Sequence, residues 1–141
     1  IFYDIQCINT NMQTTEYKVT LLGEKNIGKT SLVKKLYGNY KENATYIPTI
    51  GVKVTPIDIH GNQGKIRVNI WDNAGDPEYR GLKEKYHIDS RLIIILTNNS
   101  DGHKVFEDEV PAHTPVIYLN TLESKSVEEY KNIIYNALIN N

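Results

Sequence analysis

The chain has 141 residues, 40% of them hydrophobic, and a formal net charge of -1. That is one domain's worth of sequence with enough apolar material for a core, and its composition suits a soluble globular protein. The near-balanced charge gives no overall field to attract nucleic acid or a membrane surface. The single Cys7 excludes an intrachain disulfide framework and fits a reducing compartment. Along the chain, the first residues include Asp4 and lack a basic start, so no secretory leader is expected. Residues 1–16 read as an N-terminal extension and 17–141 as the folded domain.

Tyr17 to Leu22 reads as a strand and Ser31 to Tyr37 as a helix. Between them lies Gly23-Glu24-Lys25-Asn26-Ile27-Gly28-Lys29-Thr30, which matches the phosphate-binding loop pattern G-x-x-x-x-G-K-[ST] in its proper strand–helix setting. The glycines let the backbone curl its N–H groups toward phosphate oxygens, and the following helix, with Ser31 at its start, adds its positive end. Lys29 is placed to reach the β- and γ-phosphates and the Thr30 hydroxyl to ligate Mg²⁺.

Val52 to Ile59 alternates apolar and polar residues and contains Pro56. His60 to Gly64 supplies turn chemistry, and Ile66 to Ile70 alternates again, predicting an antiparallel hairpin at a sheet edge. Asp72 ends that second strand, with Gly75 three residues on. A carboxylate there can hold Mg²⁺ through water, and a glycine N–H can meet the γ-phosphate. Thr49, in the loop before the hairpin, is placed to close on Mg²⁺ when a γ-phosphate is present. The continuous apolar run Leu92 to Leu96 predicts a central parallel strand, and Pro115 to Leu119 another. That same run is the longest strongly apolar stretch and is too short to cross a bilayer.

Ser126 and Glu129 form a capping box before a helix whose apolar face is Val127, Tyr130, Ile133, Ile134, Ala137 and Leu138. Strands alternating with helices imply an α/β fold of three layers, mostly parallel with one antiparallel edge hairpin, trimmed after the fourth strand (Leu92 to Leu96). His60, His87, His103 and His113 have no ligand-like spacing with Cys7, which argues against a zinc site. Asp101-Gly102-His103 reads as a turn and Glu107-Asp108-Glu109 as a solvated patch. The chain ends Ile139-Asn140-Asn141, without a prenylation signal, so no membrane anchor is expected.

From Tyr17 to Ser100 the sequence resembles the Ras-superfamily small GTPases, and within them the Ran-like type. The resemblance rests on Gly23 to Thr30, on Pro48-Thr49-Ile50-Gly51-Val52-Lys53-Val54-Thr55-Pro56, on Trp71-Asp72-Asn73-Ala74-Gly75 and on Arg80 to Ile88. It implies a P-loop fold, a guanine-nucleotide switch binding GTP and GDP with Mg²⁺, and an intracellular place in cytoplasm, nucleus or both. By position, the amides of Gly23 to Ser31 and Lys29 would hold phosphates. Thr30, Thr49 and Asp72 would serve the metal, and Gly75 the γ-phosphate. Tyr40 falls where the family sets an aromatic against the guanine ring, the alternative being a core or surface tyrosine. Exchange factors, GTPase activators or transport receptors would engage the loops around Thr49 and Asp76.

Three departures stand out. Asp76 occupies the place of the glutamine that orients the attacking water, so its charge would oppose the γ-phosphate and slow turnover. Lys25 and Asn26 stand where Ran-like loops are small. Lys25 either crowds the entry of an arginine finger or neutralises phosphate charge itself. The guanine-reading Asn-Lys-x-Asp is reduced to Asn120-Thr121-Leu122-Glu123, keeping Asn120 and lengthening the acid to Glu123. In a second alignment Thr121 to Ser126 is the later base-contacting loop and the fifth strand is deleted. There is too little chain between Asn99 and Pro115 for the usual third helix, and no room between Glu123 and the last helix for a sixth strand. Phe2-Tyr3-Asp4-Ile5 resembles that sixth strand at the opposite end of the chain. Two other readings compete: a non-hydrolysing pseudo-GTPase serving as an interaction module, and an ATP-using P-loop phosphotransferase.

Overall fold

The computed structural model describes residues 14–23, 27–37, 45–47, 52–73, 89–98, 113–123 and 125–140. Six strands and two helices are described among them: β1 (Thr15–Leu22), α1 (Lys29–Tyr37), β2 (Thr45–Ile47), β3 (Val52–Gly61), β4 (Gly64–Asn73), β5 (Leu92–Thr97), β6 (Val116–Asn120) and α2 (Val127–Ile139). They form one sheet in the order β2-β3-β4-β1-β5-β6. β4, β1, β5 and β6 run parallel, while β2–β3 and β3–β4 pair antiparallel. This is the mostly parallel α/β sheet with an antiparallel margin that the sequence predicts.

The run Leu92 to Leu96 lies at the middle of the parallel region and is buried throughout. Leu92, Ile94 and Leu96 join Val19, Leu21, Ile57, Ile59, Val68 and Ile70 in the main core, where α1 and α2 pack. On the opposite face Leu22, Ile93 and Ile95 are fully buried as well, with Val116 against them. A strand buried on both faces needs no polar alternation, which is why this one reads as a continuous apolar run.

The β3–β4 hairpin turns through Asn62 and Gln63, with Gly61 paired to Gly64. Its margin differs from expectation: β2, too short to show a periodic pattern, pairs with Val52, Lys53 and Val54 and forms the sheet edge. Pro56 is nonetheless tolerated, because that pairing ends two residues before it.

The capping box of α2 is formed. The Ser126 hydroxyl accepts from the Glu129 N–H at 3.1 Å, and the Ser126 N–H donates to the Glu129 carboxylate at 3.1 Å. Tyr130, Ile134 and Leu138 are buried as the stripe predicts. Tyr135, off that stripe, is buried too: its ring lies against Gly61, where a Cβ would overlap it, and its hydroxyl accepts the Gln63 N–H at 2.9 Å. Residues 121–123 form a turn after β6, and no strand stands among the described residues between β6 and α2. β1 starts two residues before Tyr17. The segment Phe2 to Ile5, the rest of 1–13, and the stretch 99–112 lie outside the described residues.

Candidate functional site

The ends of three strands converge on the phosphate loop. β1 delivers Gly23, and Gly28 adopts φ +110°, a conformation that an L side chain strains to reach. A Cβ on Gly23 would stand 2.8 Å from Ile27 Cγ2 and 3.3 Å from Lys29 Cγ, so the first glycine is needed for closeness. α1 starts at Lys29, and the Leu32 N–H donates to the Gly28 carbonyl at 3.0 Å. The N–H groups before it belong to a helix start, where backbone donors lack helical partners. Thr30 and Ser31 are exposed on this first turn.

Lys29 is buried, and its ammonium donates to the Gly23 carbonyl at 2.7 Å. The side chain thus folds back over the loop. A buried lysine needs charge compensation, and Asp72, at the end of β4, lies within its electrostatic reach. Register explains the meeting. Asp72 is paired with Leu21 of β1 and with Lys53 of β3, so it shares the core-facing side of Leu21. One Asp72 oxygen, Oδ1, is buried without a hydrogen-bond partner, as is Thr55 Oγ1 on the neighbouring strand. Burial pushes the Asp72 carboxyl up to about 6, against the pull of the Lys29 and Lys53 charges. Trp71 faces the other side of the sheet, with the Lys18 ammonium 4.0 Å from its ring centroid.

Beside the loop opens a cavity of about 300 Å³, lined by Ile27, Gly28, Ser31, Leu32, Lys35, Leu96, Leu119, Asn120, Thr121 and Tyr130. Asn120 is held there by pairing of β6 with Thr97, and the Thr121 N–H donates to the Thr97 carbonyl at 2.8 Å. Its side-chain oxygen accepts the Leu122 N–H at 2.9 Å, an Asx turn that sets the loop after β6. Glu123 is placed differently: its carboxylate is exposed and accepts from Lys125 at 2.8 Å, and it is not among the cavity's lining residues.

Of the residues singled out from sequence, the structure brings together Gly23, Ile27, Gly28, Lys29, Thr30, Ser31, Asp72 and Asn120, and sets Glu123 at the margin. Glu24, Lys25, Asn26, Tyr40, Thr49, Gly75 and Asp76 lie outside the described residues. Sequence reasoning missed Lys35 and Tyr130, and had Thr121 only as a member of the Asn120 to Glu123 motif and of the alternative loop Thr121 to Ser126. Lys35 donates to the Lys125 carbonyl at 3.0 Å and stands 5.5 Å from the Tyr130 ring centroid, tying α1 to the loop after β6. Of the two missed residues, only Tyr130 carried a sequence signal, and that signal was an ordinary core stripe.

The donor set suits magnesium. A hydroxyl at a helix start and one carboxylate with a spare buried oxygen match a small hard cation that keeps several waters. Among the described residues no three His, Cys, Asp or Glu side chains cluster as a ligand set for a fully protein-bound metal. Nor is any described helix long and apolar enough to cross a membrane.

Residues 18–135, from within β1 to near the end of α2, match the family described as Roc, Ras of Complex, domain of DAPkinase. The match covers the phosphate loop, Asp72 and Asn120 together, and it carries the Ras-like GTPase assignment without distinguishing a Ran-like type. With the phosphate loop, the parallel sheet and this match in agreement, the chain belongs to the Roc family of Ras-like, GTP-binding P-loop domains.

Proposed function

We propose that this domain is a guanine-nucleotide switch that binds GTP and GDP with Mg²⁺ and hydrolyses GTP slowly. The observation that carries the reading is the pair at the loop mouth: buried Lys29 bonded to Gly23, and Asp72 with a buried oxygen that no other group satisfies. A buried ammonium at the loop suits phosphate oxygens, and a buried carboxylate oxygen without a hydrogen bond suits a cation or its water shell. On binding, Lys29 exchanges a backbone carbonyl for phosphate oxygens, and the loop amides add theirs. Thr30, Thr49 and Asp72 are the residues that would hold magnesium, which supplies Lewis-acid charge to the phosphates when bound. Gly75 would meet the γ-phosphate. The cavity with Asn120 would take the base, with Tyr40 against the ring and Glu123 as the acid that reads it.

Asp76 replaces a neutral water-orienting group with a charge, and turnover should fall below the roughly 10⁻⁴ s⁻¹ of an unassisted small GTPase. The loops around Thr49 and Asp76 would present nucleotide state to exchange factors, activators or transport-receptor-like partners inside the cell, and the Ran-like type rests on the motifs from Pro48 to Ile88. A pseudo-GTPase role is favoured by one observation: the Glu123 carboxylate is bonded to Lys125 outside the cavity. Competition against a fluorescent guanine nucleotide tests the main reading. GTP should displace it at least about tenfold better than ATP, because a wrong base leaves buried polar groups unpaired. Equal displacement by ATP would overturn guanine recognition. Single-turnover hydrolysis should be faster in Asp76→Gln than in wild type; a fast wild-type rate would show that Asp76 is no handicap.

A further inference from the structure

Lys53 stands directly across the β3–β4 ladder from Asp72. Directly opposed residues of two strands share a face, so both side chains leave the sheet on the side that carries α1. The Asp72 carboxyl therefore has two cations acting on it, Lys29 from the loop after β1 and Lys53 from the strand on its other flank. Lys29 is already committed to the Gly23 carbonyl. Asp72 Oδ1 is buried and has no hydrogen bond, so the Lys29 and Lys53 charges offset only part of the cost of burying the carboxylate. A lysine opposite this carboxylate brings to it positive charge that a divalent cation bound there would also feel. Like charges acting on one partly buried carboxylate repel each other.

We propose that Lys53 is a built-in counter-cation for Asp72, which supplies positive charge to the carboxylate when magnesium is absent and competes with the ion when it arrives. Nucleotide binding in this domain consequently depends less on magnesium than it does in the same site without Lys53. This rests on the guanine-nucleotide reading given above. Lys53 acts through Asp72 and is a positioning residue.

The test uses the full chain and three variants: Lys53→Met, which keeps the length of the side chain and removes the charge, Lys53→Gln as a second neutral variant, and Lys53→Arg, which keeps the charge. Affinity for a fluorescent GDP analogue is measured in excess magnesium and in excess EDTA. The EDTA-to-magnesium ratio of dissociation constants should be about tenfold larger in Lys53→Met and Lys53→Gln than in wild type, with Lys53→Arg close to wild type. A ratio unchanged by loss of the charge overturns the proposal. A parallel arm needs no nucleotide: thermal unfolding of the free protein is followed as magnesium chloride alone is added. The neutral variants should be stabilised by magnesium more than wild type, and equal shifts in all four proteins overturn the proposal. If no protein binds the GDP analogue in either condition, the switch reading itself fails, and the magnesium arm still decides the role of Lys53.

Discussion

Two aspartates on adjacent strands meet opposite environments. Asp58, near the hairpin tip, is gripped by Arg67 at 2.9 and 3.4 Å and approached by Lys65 at 3.6 Å. The Arg67 hydrogen bond holds its carboxyl below the ordinary carboxylate range. Asp72, at the other end of β4, has a buried oxygen with no hydrogen bond, and burial pushes it up to about 6. The contrast extends to their surroundings. At the tip, Tyr135 fills the space over Gly61 and satisfies the Gln63 N–H. At the loop end, Thr55 Oγ1 is orphaned and Lys29 is turned back on the backbone. One end of the sheet is completed by the chain's own side chains, and the other keeps polar capacity for a ligand.

Substitution of Asp72 should shift stability most. Its folded carboxyl titrates near 6 against an ordinary 3.8, so the folded state binds the proton more tightly than the unfolded chain does. That contribution is fully present below the unfolded value and is lost as pH rises through 6. Asp72→Asn escapes the cost of ionisation. Relative to wild type, the nucleotide-free variant should gain stability between pH 4 and pH 7, by about 2–3 kcal/mol at most. A difference that does not change with pH contradicts the burial argument.

Gly61→Val tests the closed end. A side chain there overlaps the Tyr135 ring and should cost about 1–3 kcal/mol in thermal unfolding, without weakening nucleotide binding by the folded fraction. An unchanged midpoint means the ring is not confined. Tyr135→Phe, which removes only the acceptor for Gln63, should cost about 0.5–1.5 kcal/mol by urea denaturation. The smallest effect belongs to Asp58→Asn. Its lowered folded value stabilises above the unfolded carboxylate range, and the contribution is lost as pH falls through the folded one. The pair is about as exposed as a surface bridge, so the loss at pH 7 should stay within about 0.5 kcal/mol and fade in acid. A loss that persists unchanged in acid argues against the ion pair as its source.

The sequence carried the strongly patterned parts of the fold. A five-residue apolar run marked β5, alternation and a Gly-containing turn marked the β3–β4 hairpin, and Ser126 with Glu129 marked the start of α2. Local chemistry decides those features, so local reading finds them. β2 escaped because three residues have no period; it exists through pairing with β3. Tyr135 escaped because its partner, Gly61, is distant in sequence and the contact depends on how α2 lies over the hairpin. In the site, the phosphate loop was evident from Gly23, Gly28 and Lys29, since backbone closeness and phosphate charge demand those residues at that spacing. The charges around Asp72 were not, because Lys53 meets it only through strand register. Glu123 shows the reverse: its position suggested the cavity, while its flexible side chain pairs with Lys125 instead.

The most direct test of the site is calorimetric titration of Mg-GTP into wild type and Lys29→Ala, each first shown to unfold cooperatively. Lys29 is the buried ammonium at the loop mouth, and losing a charge-assisted contact to phosphate should cost roughly 1.5–3 kcal/mol, more than tenfold in affinity. Equal affinity in the two proteins would contradict the assignment of Gly23 to Thr30 as the phosphate-binding loop.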